Sequence, residues 1–212
     1  MKIITNTAMS LDGKIGIEPK QHHFLGSEYD RNRMSLIRSN VDAILVGGQT
    51  FRNWPQPLLP LEKDEQRDYV SKPLLNVILS HSMQLPISNE YKLENKIKSL
   101  VLTDIESPAV NFPLEQIVSL VPITPQWIIE ELSLRGIKTL LIEGGGELIF
   151  SFLKAKLIHE MYITLCPKII GGRNRPSIVT GSGFTADKLI NMTLLKAEPI
   201  NDEIFLHYSV KN

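Results

Sequence analysis

The residues with the clearest chemical use sit where an apolar run ends in glycine. Leu140-Leu141-Ile142-Glu143 leads into Gly144-Gly145-Gly146 and then into Glu147-Leu148. The pattern reads as a buried strand, a glycine turn and a helix start. Backbone N–H groups at a helix N-terminus point outward and carry partial positive charge, which suits a dinucleotide pyrophosphate. Glycine lets such a ligand approach the backbone. The competing reading is a tight strand-to-helix turn with no ligand, and the motif is not the GxGxxG fingerprint. Glu143 falls at the carboxyl end of the strand, where open α/β sheets place ligands. Its carboxylate either accepts from the N–H groups of a purine or pyrimidine ring or caps the backbone that follows.

Gly47-Gly48-Gln49-Thr50 repeats the strand-then-glycine pattern after Ala43-Ile44-Leu45-Val46, so its backbone and the Thr50 hydroxyl are candidates for a second part of a cofactor. Asp12, in Ser10-Leu11-Asp12-Gly13-Lys14, is by itself a turn signal. Gly171-Gly172 with Arg173 and Arg175 reads as a mobile surface loop or a phosphate loop, the first being preferred. The single cysteine, Cys166, excludes an intrachain disulfide and reads as a small buried residue. His22-His23 point apart on an extended chain, and with His81, His159 and His207 they give no zinc spacing. No serine elbow, P-loop or deaminase signature occurs.

The elements that must position these residues follow from period and punctuation. The chain has 212 residues, which fits one domain, 1–212. Strands are expected over 2–8, 43–46, 75–79, 99–102, 139–142, 160–166, 192–197 and 204–210. Helices are expected over 27–39, capped by Ser27 with Asp30 at the third position, from Thr124-Pro125 to Gly136, and over 147–156. Residues 53–73, rich in proline, form the longest irregular stretch. Strand–helix alternation predicts an α/β fold around a largely parallel sheet of about seven to nine strands, closed by an antiparallel C-terminal hairpin. Lys plus Arg and Asp plus Glu are equal at 23 each, so the cation excess a nonspecific nucleic-acid binder needs is missing. Neither a signal peptide nor a membrane-length apolar run is present. A cytoplasmic enzyme without nucleic-acid or membrane partners is the expectation.

Four blocks then acquire a common meaning: Thr7-Ala8-Met9-Ser10-Leu11-Asp12-Gly13-Lys14, Arg38 to Thr50, Ile142 to Leu148, and Pro167-Lys168-Ile169-Ile170-Gly171-Gly172. In this order the chain resembles the riboflavin-pathway pyrimidine reductases, the RibD C-terminal family. The resemblance implies a dihydrofolate-reductase-like fold, with a mixed, mostly parallel sheet flanked by helices, and a homodimer. It implies NADPH as cofactor and reduction of the ribosyl group of a ribosylaminopyrimidine 5′-phosphate to ribityl. By the same resemblance Asp12 lies near the nicotinamide and is catalytic with Glu143, which also contacts the pyrimidine. Met9, Gly48, Thr50, Asn53, Ser80 and Gly144 through Leu148 match cofactor-contacting positions. Arg38 and Leu58 match substrate contacts, Arg38 at the phosphate. No metal is implied; hydride transfer needs alignment and polarity from the protein.

One segment departs from the family pattern. Where the family has an Asp-Pro segment and then an arginine after Leu-Thr, this chain has Asn53-Trp54-Pro55-Gln56-Pro57-Leu58-Leu59-Pro60. The aspartate is replaced and the second arginine is missing, with Arg52 a candidate substitute. Three functional readings therefore stand: the pyrimidine phosphate reductase, a reductase of another pterin- or pyrimidine-like compound, and a non-catalytic cofactor-binding relative. No basic cluster in the sequence marks a reader of the 2′-phosphate, so NADPH against NADH stays open.

Overall fold

Apolar residues on both faces of the strands require helices on both faces of the sheet. A computed structural model shows how they are arranged; it describes residues 1–17, 25–61, 74–82, 84–87, 98–105, 114–119 and 121–211. The strands are β1 (Lys2–Ser10), β2 (Ala43–Gly47), β3 (Leu75–Leu79), β4 (Lys98–Thr103), β5 (Glu115–Val118), β6 (Thr139–Ile142), β7 (Glu160–Cys166), β8 (Asn191–Ile200) and β9 (Glu203–Lys211). The helices are α1 (Glu28–Ser39), α2 (Gly48–Asn53), α3 (Pro125–Leu134) and α4 (Gly146–Lys154). They form one nine-stranded sheet in the order β5-β4-β3-β2-β6-β1-β7-β9-β8. The first seven strands are parallel. β9 pairs antiparallel with both β7 and β8, as expected for a C-terminal hairpin.

Alternation along the strands separates the core into layers. Ile3, Leu45, Val77, Leu100, Leu140 and Ile142 face α3 and α4 through Ile128, Leu132, Ile149 and Phe152. Their neighbours Ile4, Ile44 and Leu141 pack with Ile37 of α1, and Val46, Ile78 and Val101 pack with Phe51 of α2. The caps behave as their chemistry requires. Ser27 Oγ accepts from the Asp30 N–H at 3.4 Å, and Thr124 Oγ1 accepts from the Trp127 N–H at 3.2 Å. Gly136, at φ +76°, turns the chain out of α3.

Two elements were not legible in the sequence. α2 is six residues long and opens on Gly47 with no side-chain cap, so it lacks a start signal. β5 is four residues long at the sheet edge. Within 53–73, residues 54–61 form neither helix nor strand. The rest of that stretch, and His22 and His23, lie outside the described residues.

Candidate active site

Because β1, β2, β3 and β6 run parallel, their carboxyl ends share one rim of the sheet. Glu143 follows β6 and donates its N–H to the Leu45 carbonyl at 3.1 Å. Its side chain is met by Arg38 from the last turn of α1. Arg38 Nε donates to Glu143 Oε1 at 2.7 Å and Nη2 donates to Oε2 at 2.6 Å. Both side chains are nearly closed from solvent, at 11% and 7% exposure. A buried carboxylate of this kind needs such a partner. The third donor, Arg38 Nη1, reaches the Leu59 carbonyl at 2.8 Å. Two residues that the sequence assigned separately to pyrimidine and phosphate are thus bound to each other. Arg38 orients Glu143 and also anchors the 54–61 segment.

That segment has further supports which the sequence did not reveal. Asn76, buried on β3, accepts from the Leu58 N–H at 2.8 Å and donates to the Leu58 carbonyl at 3.3 Å. Ser35 Oγ accepts from the Leu61 N–H at 2.7 Å. An asparagine inside the apolar run Leu75–Leu79 was the available signal, since a buried amide requires partners.

Each glycine of the turn after Glu143 has its own cause. Gly144 lies at φ +122° and Gly145 at φ +23°. The Gly145 N–H donates to Thr50 Oγ1 at 3.0 Å, so Thr50 braces the turn from α2. Gly146 begins α4, and a Cβ there would lie 2.6 Å from the Ser177 carbonyl oxygen and 2.9 Å from Thr180 Oγ1. The Thr180 N–H donates to the Gly146 carbonyl at 3.2 Å, so residues 177–180 lie against the turn. The glycines are therefore explained by backbone angle and packing, without invoking ligand approach. The amides of Gly146, Glu147 and Leu148 open the helix and have no intrahelical acceptor.

The strap that ends at Thr180 begins at the Asp12 turn. Asp12 Oδ1 accepts from the Ser10 hydroxyl at 2.6 Å and the Ile170 N–H at 3.1 Å, while Oδ2 accepts from the Gly171 N–H at 2.7 Å. The Ser10 hydroxyl and these amides hold its pKa down at about 2. Asp12 is thus an ionised acceptor that ties β1 to the Gly171-Gly172 loop, a loop anchored at its start. Met9, the residue before Ser10, packs against the main core. Asn53 accepts from Gln49 Nε2 at 3.0 Å at the end of α2. Cys166 is buried, and burial pushes its thiol up to about 12, which removes it as a nucleophile.

At the β3 end, Ser80 is 2% exposed and its hydroxyl lacks a hydrogen-bond partner. A Cβ on Gly48 would fall 3.0 Å from this Oγ and 3.3 Å from Arg52 Nη1. These neighbours crowd a Cβ, so Gly48 is glycine for close packing, and the orphaned Ser80 hydroxyl is the feature that fits a bound group at this end of the rim. Among the described residues, no group of three or more His, Cys, Asp or Glu side chains could hold a metal ion.

Comparison with known proteins gives the family and the fold. Residues 1–206 match the RibD C-terminal domain. The chain belongs to that family. It is 28% identical over 192 residues to the 2,5-diamino-6-ribosylamino-4(3H)-pyrimidinone 5′-phosphate reductase of Archaeoglobus fulgidus, covering 86% of this chain and 87% of the relative. It is 30% identical over 213 residues to riboflavin biosynthesis protein RibD of Synechocystis, covering 97% of this chain and 56% of that longer protein. In fold it matches a pyrimidine reductase-like protein from Corynebacterium diphtheriae, with a TM-score of 0.83 at 23% identity over 100% of this chain and 92% of that one. The family's dihydrofolate-reductase-like arrangement is therefore the fold of this chain. Among the described residues, no helix is long and apolar enough to cross a membrane.

Proposed function

We propose that this chain is an NADPH-dependent reductase that converts the ribosyl group of a ribosylaminopyrimidine 5′-phosphate to ribityl in riboflavin biosynthesis. Family membership and the names of the full-length relatives support the reaction class. The observation that carries the site is Glu143, fixed by Arg38 Nε and Nη2 immediately before the glycine turn. Each carboxylate oxygen keeps a further acceptor site, so Glu143 can take the N–H groups of a pyrimidine edge while Arg38 holds it in place. The amides that open α4, the Thr50 brace and Ser80 would hold the dinucleotide. The reduced nicotinamide supplies the hydride when bound.

The remaining work belongs to the chain's own residues. Glu143 binds and orients the ring. Arg38 positions Glu143 and the Leu58–Leu59 backbone. Asp12, held ionised, is not a proton donor near neutral pH; its part is to fix the strap against the turn. Following NADPH absorbance, with the deaminated and non-deaminated pyrimidine phosphates offered separately, tests the reading. Oxidation with one of them is the expected result, and silence with both at millimolar NADPH rejects it.

A second substrate class has one observation in its favour. Residues 54–61 contain no Lys or Arg, and Arg38 is engaged by Glu143 and Leu59. A pterin-like substrate without a phosphate suits such a wall. Turnover of dihydrofolate or a pterin, with none of the phosphoribosyl pyrimidine, would select it. A cytoplasmic homodimer belongs to the leading reading. β8 is an edge strand whose Leu194 and Leu195 are half exposed, a surface a second copy would cover. Sedimentation at micromolar concentration checks the dimer.

A further inference from the structure

The segment that Arg38 anchors is held a second time, from β3. Residues 54–61 form neither helix nor strand, so no ladder fixes their backbone. Asn76 takes over that task. It stands in the middle of Leu75–Leu79, in register with Ile44 of β2 and Ser99 of β4, and is 3% exposed. Its Oδ1 accepts from the Leu58 N–H at 2.8 Å, and its Nδ2 donates to the Leu58 carbonyl at 3.3 Å. One side-chain amide thus takes both backbone groups of one residue, as a neighbouring strand would. A single bond would let the Leu58 backbone swivel; two set its position and its orientation. The Leu58 side chain packs at the same time against the layer of Ile44 and Leu141 and that of Phe51 and Ile78. The next carbonyl along, that of Leu59, is the one that Arg38 Nη1 meets at 2.8 Å.

We infer that Asn76 is a positioning residue for the reaction: by clamping Leu58 it places the Leu59 carbonyl, and that carbonyl sets the angle of Arg38 and hence of the Glu143 carboxylate. This rests on the reading of Glu143 as the group that binds the pyrimidine. The guanidinium is planar and rigid, so its donors cannot be adjusted one at a time. Nε and Nη2 lie on Glu143, and Nη1 lies on Leu59. A shift of the Leu59 carbonyl must therefore break the Nη1 bond or turn the whole plane, and turning the plane turns the carboxylate with it. An error of about 1 Å in a group that orients a substrate is enough to cost on the order of a hundredfold in rate. Packing alone cannot replace the clamp. An apolar residue at position 76 would still meet the Leu58 side chain but would leave its backbone free to rotate. Ser35, the other support, acts two residues beyond Leu59, at the Leu61 N–H, and fixes no group next to the carbonyl that Arg38 uses.

The test uses the full chain with NADPH and whichever of the two phosphoribosyl pyrimidines the wild type reduces. Asn76→Ala is compared with the wild type by kcat, KM, NADPH affinity in calorimetry and melting temperature. Asn76→Thr is run beside it; its β-branched side chain suits a strand but is too short for both Leu58 groups, so it decides the matter if Asn76→Ala does not fold. Each should lower kcat/KM for the pyrimidine by about tenfold to a hundredfold and change the NADPH Kd by less than about twofold. The same substitutions are then made in Arg38→Lys, which keeps a cation beside Glu143 and lacks the planar fork. There they should cost less than about threefold more, because the link they break is already gone. A lowered melting temperature with unchanged kcat/KM makes Asn76 a structural anchor only and overturns the inference. An equal loss in both backgrounds overturns it too, and in either case the functional reading stands. A wild type that reduces neither pyrimidine overturns that reading and the inference together.

Discussion

Two neighbouring strands, β2 and β6, both run into glycine and then into a helix, yet their glycines answer different needs. After β6, Gly144 and Gly145 hold positive φ angles and Gly146 is pressed by the Ser177–Thr180 backbone and side chains. After β2, Gly47 has an ordinary extended backbone at φ −75° with nothing near a would-be Cβ, and Gly48 is glycine because a Cβ would fall 3.0 Å from Ser80 Oγ and 3.2 Å from the Leu79 carbonyl oxygen. One junction is packed, braced by Thr50 and preceded by a buried ion pair. The other is open only at Gly47. The difference teaches that a glycine pair marks a strand end, while its reason, dihedral angle or space, is set by what the fold brings alongside.

Substitutions at the two junctions should therefore separate widely. Arg38→Ala strands the Glu143 charge at the β6 end and should cost about 3–5 kcal/mol in denaturant unfolding, with loss of turnover. Equal stability to the wild type would mean the pair is not closed from water. Gly146→Ala must displace the Ser177 carbonyl and should cost about 1–3 kcal/mol; a wild-type melting temperature would show that the strap does not press on the turn. Thr50→Val, which removes the acceptor of the Gly145 N–H, is expected to cost about 1–3 kcal/mol and to weaken dinucleotide binding, read by calorimetry. At Gly47, where nothing meets a Cβ, Gly47→Ala should change stability by less than about 1 kcal/mol, the weaker N-cap offsetting the smaller freedom of the unfolded chain. A loss as large as that of Gly146→Ala would erase the contrast. The strap has its own pH signature. Asp12 is depressed from 3.8 to about 2, so its contribution is complete above pH about 3.8 and is lost as pH falls through about 2. Asp12→Asn should flatten that part of the acid-unfolding profile, and an unaltered profile would remove Asp12 as the tie.

Much of the frame was legible from sequence. Leu75–Leu79, Thr139–Ile142 and Glu160–Cys166 have the bounds read from the sequence, because their apolar side chains are the ones the sheet buries. Ser27 and Thr124-Pro125 fixed two helix starts through local hydrogen bonding. α2 escaped because six residues with no cap carry almost no local preference; Phe51 holds it against Val46, Ile78 and Val101. The site divides the same way. Glu143, the three glycines and Thr50 could be placed at strand ends from the pattern. The residues that hold them, Arg38 on Glu143, Asn76 on Leu58 and Asp12 on Gly171, could not be paired, because their partners lie 105, 18 and 159 positions away.

What the chain determined by itself was the list of strands, the punctuation between them and the residue types at the rim, since period, capping and turn chemistry act over a few neighbours. Which of those residues meet was decided by the order in which parallel strands assembled. That order inserts β6 between β2 and β1, sets the glycine turn beside α2 and α1, and so gives Glu143 its arginine and Gly145 its threonine.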